Sequence, residues 1–553
     1  MSAKKSKLLI PALAAGVVVA SGVAAYFYFR GSFGDGASPL ASAKIVPDEA
    51  LMTSFISTDS QAWSQLQKFG TQEARDLIAK NLQDFNQQAL TESNIDFEKD
   101  IKPWVGGVMV AILPPNPTKP AQATPAAPEE FDVLAVVKIK DKIGALNFLN
   151  KLKAQKDVKT QETDYKGLKI TQSSQGASEP TYSTVINNDY VAIAPTKQAI
   201  EKAIDTFKGE PSFASKEGAS SLLAKGIDLK NPLAQVYLPD YGSLVEQLIK
   251  NSPEAAQVPP EALAQLKQVK ALAAGIGVDD AGLRMKAIAD VDPQLLKNYQ
   301  YQTSSGKLLE VFPAQTIALV SGAGISKSWN AFSEQVKSIP QLNIGLDLAR
   351  VQLQSYNLDL DKDIFGWMDG EFAFGAIASE QGMLAPVGFG GALIIDTSDR
   401  PTAEAALNKL DNIAKTAYIN VAPREVSGKA VTEWQVPNQG ALIGHGWLDN
   451  DTVFVAFGGP IADAIANKPT QPLNNSDNFK SVVSSFPKPN SGYFYLDVEK
   501  TVALLTAKGQ VGTMPPETKA VLDSIRGIGM SASNPNDSTS QVEMLFALKQ
   551  SQQ

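Results

Sequence analysis

Among 553 residues there is one histidine, His445, and no cysteine. Zinc–thiolate centres, iron–sulfur clusters, disulfides and cysteine nucleophiles all need thiols, and acyl-transfer triads need an imidazole. Carboxylate, lysine, tyrosine or serine–lysine chemistry is what remains. His445 stands in Leu442-Ile443-Gly444-His445-Gly446-Trp447, close in sequence to Asp449 and Asp451. A triad would also need a serine on a tight elbow of the G-x-S-x-G kind, and the sequence has none. His445 is therefore expected to be a solvated or strand-capping residue.

Acids alternate at Asp96, Glu98 and Asp100 and again at Asp359, Asp361 and Asp363, the opening spacing of a calcium loop. An EF-hand places glycine sixth and glutamate twelfth. Here Ile364 and Gly370 hold those places, and Glu371 comes one residue late. The expected structure is a short capped helix, its first-turn carboxylates favoured by the helix dipole, leading through Trp104 or Trp367 into a strand. Glycines at Gly322 and Gly324, Gly388 to Gly391, and Gly458 with Gly459 lack both the G-x-G-x-x-G pattern and the P-loop lysine. They are expected to mark bulges or close sheet packing. No catalytic, cofactor-binding or metal-binding residue is assigned, no cofactor is expected, and binding residues stay unidentified.

The elements that position these residues are read from a repeat. Asn94 to Leu113 matches Asn357 to Ile377, aligning Trp104 with Trp367, while Trp63 aligns with Trp329 and Pro259-Pro260-Glu261 with Pro515-Pro516-Glu517. Self-similarity in one order, at offsets between 256 and 266, implies a duplicated supersecondary unit. Periodicity predicts strands over 50–58 and 315–321, then a helix from near Ser60 or Ser326. Strands follow at 105–113 with 131–139 and at 371–378 with 388–396, with near-continuous apolar runs that imply burial. Helices are expected at 142–155 and 401–416, single strands over 163–172 and 424–436, a hairpin strand and a helix, then strands at 233–238 or 492–497 and closing pairs near 272–291 and 526–548. Strand, helix, two strands, helix, strand is the opening order of a ferredoxin-like unit. The expected fold class is α+β: two tandem copies of a mostly antiparallel sheet with helices, preceded by one transmembrane helix.

Leu8 to Phe29 carries no charge over 22 residues, enough helix to span a bilayer core. Lys4, Lys5 and Lys7 before it, and Tyr26 to Phe29 against Arg30 after it, fit a signal anchor with an aromatic belt. A cleaved signal peptide ending near Ala20-Ser21-Gly22 is the alternative. The expected organisation is a cytoplasmic N-terminus over 1–7, an anchor over 8–29 and a linker over 30–43. Repeat 1 runs over 44–298 with a Pro/Ala-rich insertion at 114–130, a linker over 299–309, and repeat 2 over 310–553. The chain is thus expected to be a single-pass protein of a plasma or thylakoid membrane with its bulk periplasmic or lumenal.

The formal charge is −8, a balance that repels nucleic acid. Apolar strands with helices could also enclose a site for an apolar ligand. The anchor, the stretch from Val46 to Trp63, the Asp96 to Gly107 box and the Lys142 to Gln155 helix together resemble the cyanobacterial family catalogued as domain of unknown function 3352. The resemblance covers nearly everything after the anchor and implies a cyanobacterial plasma-membrane or thylakoid protein; it carries no activity, ligand or site residue across. In the second box Gly366, Met368 and Asp369 replace Pro103, Val105 and Gly106, so the two are not expected to act equally. The functional expectation is a non-catalytic binding or scaffolding protein with a protein partner in the envelope or thylakoid. A carrier or chaperone for a lipid, pigment or quinone is the alternative, and a hydrolase using carboxylates or a serine–lysine pair is a third.

Overall fold

Val105–Leu113 alternates buried and half-exposed residues along much of its length, the period-2 pattern of a strand with one face in a core. The same pattern organises most of the chain. In a computed structural model, residues 38–551 are described apart from 78, 81–96, 115–130, 154–157, 176–178, 251–263, 265, 300–301, 338, 510–511 and 513. The chain divides into two compact units, one ending its main run at Val291 and the other running Asp292–Lys549.

In the first unit the strands are β1 (Met52–Ile56), β2 (Val105–Leu113), β3 (Asp132–Ile139), β4 (Val158–Tyr165), β5 (Leu168–Gln175), β6 (Thr181–Ile186), β7 (Tyr190–Ala194), β8 (Pro232–Leu238), β9 (Val269–Val278) and β10 (Gly282–Val291). Their neighbour order is β10-β9-β8-β1-β2-β3-β7-β6-β5-β4, antiparallel throughout. Helix α1 (Ser60–Leu66) follows β1, capped by Asp59. Helices α2 (Lys142–Lys153), α3 (Lys197–Phe207) and α4 (Tyr241–Lys250) complete the frame. Buried Ala199, Ile200, Ala203 and Ile204 of α3 join Met109, Leu134, Ile186 and Tyr237 in the main core. Leu244 of α4 packs with Met52, Val236 and Leu238 in a second cluster.

In the second unit the strands are β11 (Thr316–Ala323), β12 (Glu371–Ala378), β13 (Phe389–Asp396), β14 (Asn420–Val426), β15 (Lys429–Val436), β16 (Gly440–Trp447), β17 (Thr452–Phe457), β18 (Tyr493–Asp497), β19 (Ile525–Asn536) and β20 (Thr539–Leu548). Their order is β20-β19-β18-β11-β12-β13-β17-β16-β15-β14, again antiparallel. Its helices include α5 (Ile325–Val336), α6 (Pro340–Gln354), α7 (Arg400–Thr416), α8 (Gly459–Ala466), α9 (Asp477–Val483) and α10 (Val498–Ala507). Strands β4 and β14 each have one neighbour in these orders. β4 is almost wholly exposed and polar, and β14 contains Pro423.

These pairings overturn the expected fold class. Each unit is an antiparallel array of ten strands whose order is not that of a ferredoxin-like copy. A ferredoxin-like unit uses its first helix as a crossover between parallel strands. Here the strand after α1 returns directly beside β1, antiparallel, with Phe55 opposite Met109, and β12 does the same beside β11, with Val320 opposite Phe374. The expected single strands over 163–172 and 424–436 are hairpins as well. Lys166 and Gly167 have φ of 49° and 80°, and Ser427 and Gly428 of 49° and 78°, the pair of positive values that a two-residue type I′ turn requires.

The expected single-pass placement is corrected too. A crossing helix needs about 20 predominantly apolar residues, and among the described residues no helix is long and apolar enough to cross a membrane. The longest of them, α7, has 17 residues and carries Arg400, Glu404, Lys409 and Asp411. The segment 8–29 lies outside the described residues, as do 115–130 of the expected insertion.

Candidate functional site

The second acidic box folds as a π-helical turn, Leu360–Gly366, capped by Asp359, which accepts from the N–H groups of Asp361 and Lys362. Its three acids go to three different partners. Asp361 takes a two-point contact from the Arg350 guanidinium at 2.8 and 3.0 Å and a hydrogen bond from Trp329 Nε1 at 2.7 Å. The guanidinium holds the Asp361 carboxyl below the usual carboxylate range. Buried Asp363 accepts from Lys409 Nζ at 2.6 Å and from the Asp359 N–H at 2.9 Å. Burial alone would push its pKa up, but those donors leave it below the ordinary value. The Trp367 indole donates to the Asp363 carbonyl at 2.9 Å.

Phe97–Ile101 is also a π-helical turn. Lys151 pairs with Asp100 there, and Trp104 Nε1 donates to the Asp100 carbonyl at 2.8 Å. Asp96 lies outside the described residues. Asp359 therefore caps its turn, while Asp100, Asp361 and Asp363 tie a helix to theirs, through Lys151 of α2, Arg350 of α6 and Lys409 of α7. Among the described residues no group of three or more His, Cys, Asp or Glu is placed to hold a metal ion.

His445 is buried, not solvated. On β16 its Nε2 lies 2.8 Å from Oδ1 of Asp411, which also accepts from Trp434 Nε1 at 2.6 Å. Helix α7 brings Asp411 onto this face, where its buried residues Ala403, Ala406, Leu407 and Ala414 share the stripe. A buried carboxylate without partners is costly, and indole and imidazole supply two donors. Burial raises the Asp411 pKa and these donors outweigh it, leaving it lowered. Asp449 and Asp451, the acids near in sequence, shape the turn before β17 instead: Asp449 accepts from the N–H groups of Asp451 and Thr452 at 3.1 and 2.7 Å. An aspartate at a core-facing helical position was the signal that could have identified the true partner.

The glycines serve close packing. A Cβ on Gly390 would come 2.6 Å from Ile461 of α8, and one on Gly444 2.7 Å from Ala462 of the same helix.

One face of the second unit presents a feature that the apolar runs had implied to be buried. Phe374 stands opposite Val320, Val320 opposite Phe494, Phe494 opposite Met530, and Met530 opposite Met544. Directly paired residues point to the same side of a sheet, so five strands carry a continuous apolar row. It is open: Phe374 is 46% exposed, Val320 43% and Met530 37%, and Val542, Phe389 and Phe457 on the same face are exposed as well. Phe374 and Phe457 both flank Gly391, whose absent side chain leaves them adjacent. In the first unit the corresponding row is Val110, Ser54, Val236, Ala274 and Ala287. Its residues are smaller, Ser54 and Val236 are buried, and α4 packs on it through Leu244.

No curated protein matches the chain. Among solved structures it is similar to crystal form III of TP0453, at 10% identity and a TM-score of 0.26, over 46% of this chain and 80% of that one. Crystal form I of the same protein gives 10% identity and 0.25, over 49% and 88%. Likeness at that level carries no argument about fold or function. Residues 12–548 match the model of the family described as "Protein of unknown function (DUF3352)", and the chain belongs to that family.

Proposed function

We propose that this chain is a non-catalytic binding protein and that the open row on β12, β11, β18, β19 and β20 is the surface with which it holds a protein partner. The carrying observation is the exposure of Val320, Phe374, Phe389, Phe457, Met530 and Val542 on one sheet face. At somewhat under ~100 Å² for each partly exposed side chain, they fall within the roughly 300–600 Å² that monomeric proteins leave as their largest apolar patch, a size that is often functional. The net charge of −8 argues against nucleic acid as the partner. Because the paired row carries only apolar side chains, an apolar small ligand is the second reading.

Binding of an apolar fluorescent dye tests the surface. Phe374→Asp and Val320→Asp are expected to lower dye fluorescence several-fold with circular dichroism unchanged. Ile143→Asp, at an exposed apolar residue on α2 of the first unit, leaves it unaltered. Equal dye binding by all four proteins would remove the row as the binding face. Native mass spectrometry separates the two readings: an added mass that Phe374→Asp abolishes supports the small ligand, and a bare mass supports the protein partner.

A further inference from the structure

We infer that the partner held on this row is a second copy of the chain, which lays helix α6 across it; the inference rests on the binding reading above. Helix α6 exposes Ile344 at 60%, Leu348 at 65% and Val351 at 65%. These positions are spaced i, i+4 and i+7, so they form one stripe along the helix. Leu342 on the same helix, Phe332 on α5 and Tyr356 just beyond α6 are also exposed. The second unit thus carries two exposed apolar surfaces of opposite shape, a ridge and a broad sheet face.

Dimensions and area favour this occupant. A helix of 15 residues is about 22 Å long, and five strands cover about 19 Å from first to last. Leaving aside Leu342, which lies about 160° around the helix from Ile344, the remaining five side chains on and beside the ridge and the six on the sheet face, at just under ~100 Å² each, would remove roughly the ~1,000 Å² that a biological interface clears. A two-fold arrangement makes the contact twice and doubles the area.

Sedimentation velocity of the full chain over a dilution series is the test. A dimer is expected at on the order of 10 µM, dissociating on dilution. Leu348→Glu and Phe374→Glu should each weaken it at least ~30-fold, the loss typical of a central apolar anchor. An equimolar mixture of those two variants should regain a dimer, because the intact helix of one meets the intact sheet face of the other. Ile143→Glu should sediment as the parent does. A parent chain that stays monomeric up to about 100 µM, or a dimer that survives both substitutions, would overturn the inference. Should the parent be monomeric while Phe374→Asp still abolishes dye binding, the binding reading stands and self-association fails.

Discussion

Lys409 donates to Asp363 at 2.6 Å across 46 residues of sequence, pinning helix α7 to the turn that precedes β12. Lys409→Met leaves a buried carboxylate with one fewer donor, and a charged hydrogen bond of this kind contributes about 1.5–3 kcal/mol. The half-exposed lysine places the expected loss at the lower end of that range. Urea denaturation at neutral pH measures it.

The same carboxyl fixes a pH dependence. Its folded pKa is lowered, so its contribution is full above the unfolded value of about 3.9 and is lost as pH falls through the lower folded value. Asp361, lowered chiefly by Arg350, acts with the same sign. Stability is therefore expected to fall below about pH 4, and Arg350→Lys, which loses the two-point contact, should shrink that fall. Denaturation midpoints from pH 6 down to pH 3 give the comparison.

A chain with one histidine gives an uncluttered imidazole spectrum. With Nε2 facing the Asp411 carboxylate at 2.8 Å, neutral His445 is expected as the Nε2–H tautomer. Asp411→Asn removes the charged acceptor shared by His445 and Trp434 and should cost about 1–3 kcal/mol. Nitrogen chemical shifts of the ring report the tautomer directly; an Nδ1–H form in the parent protein would contradict the assignment.

Gly492 has φ of +123°, and a Cβ there would collide with the backbone carbonyl of Ser321. Backbone cannot yield as a flexible side chain can, so Gly492→Ala is expected to destabilise by on the order of 3 kcal/mol or more. Gly428→Ala, with open space around it, carries only the positive-φ penalty of about 1 kcal/mol. Thermal melts of the two variants should keep that ranking.

Many individual elements were legible because apolar periodicity and turn residues are local signals. Val105–Leu113 and Glu371–Ala378 coincide with the expected strands, and α7 begins one residue before its expected start. How the strands pair was not legible, since β1 and β2 are far apart in sequence and their direction is set by tertiary packing. The hairpins were missed although Lys166-Gly167 and Ser427-Gly428 are polar turn pairs, because apolar residues resume directly after each turn, at Leu168 and Ile170 and at Ala430 and Val431, and were read as one strand. Helix α6 was missed for a different reason: its apolar residues alternate as a strand's do, and its exposed stripe does not point to a core. The open row escaped notice because a run buried on both faces and one buried on a single face can have the same composition.

A sheet is a template for further growth wherever an outermost strand offers unpaired backbone groups. On β14, Pro423 has no N–H to give an incoming strand, and on β4 the exposed charges Lys159, Glu162 and Asp164 would have to give up water for a second strand to pair there. The composition of these two strands thus disfavours edge-to-edge growth at β4 and β14, so neither terminal hairpin offers a ready ladder to another chain.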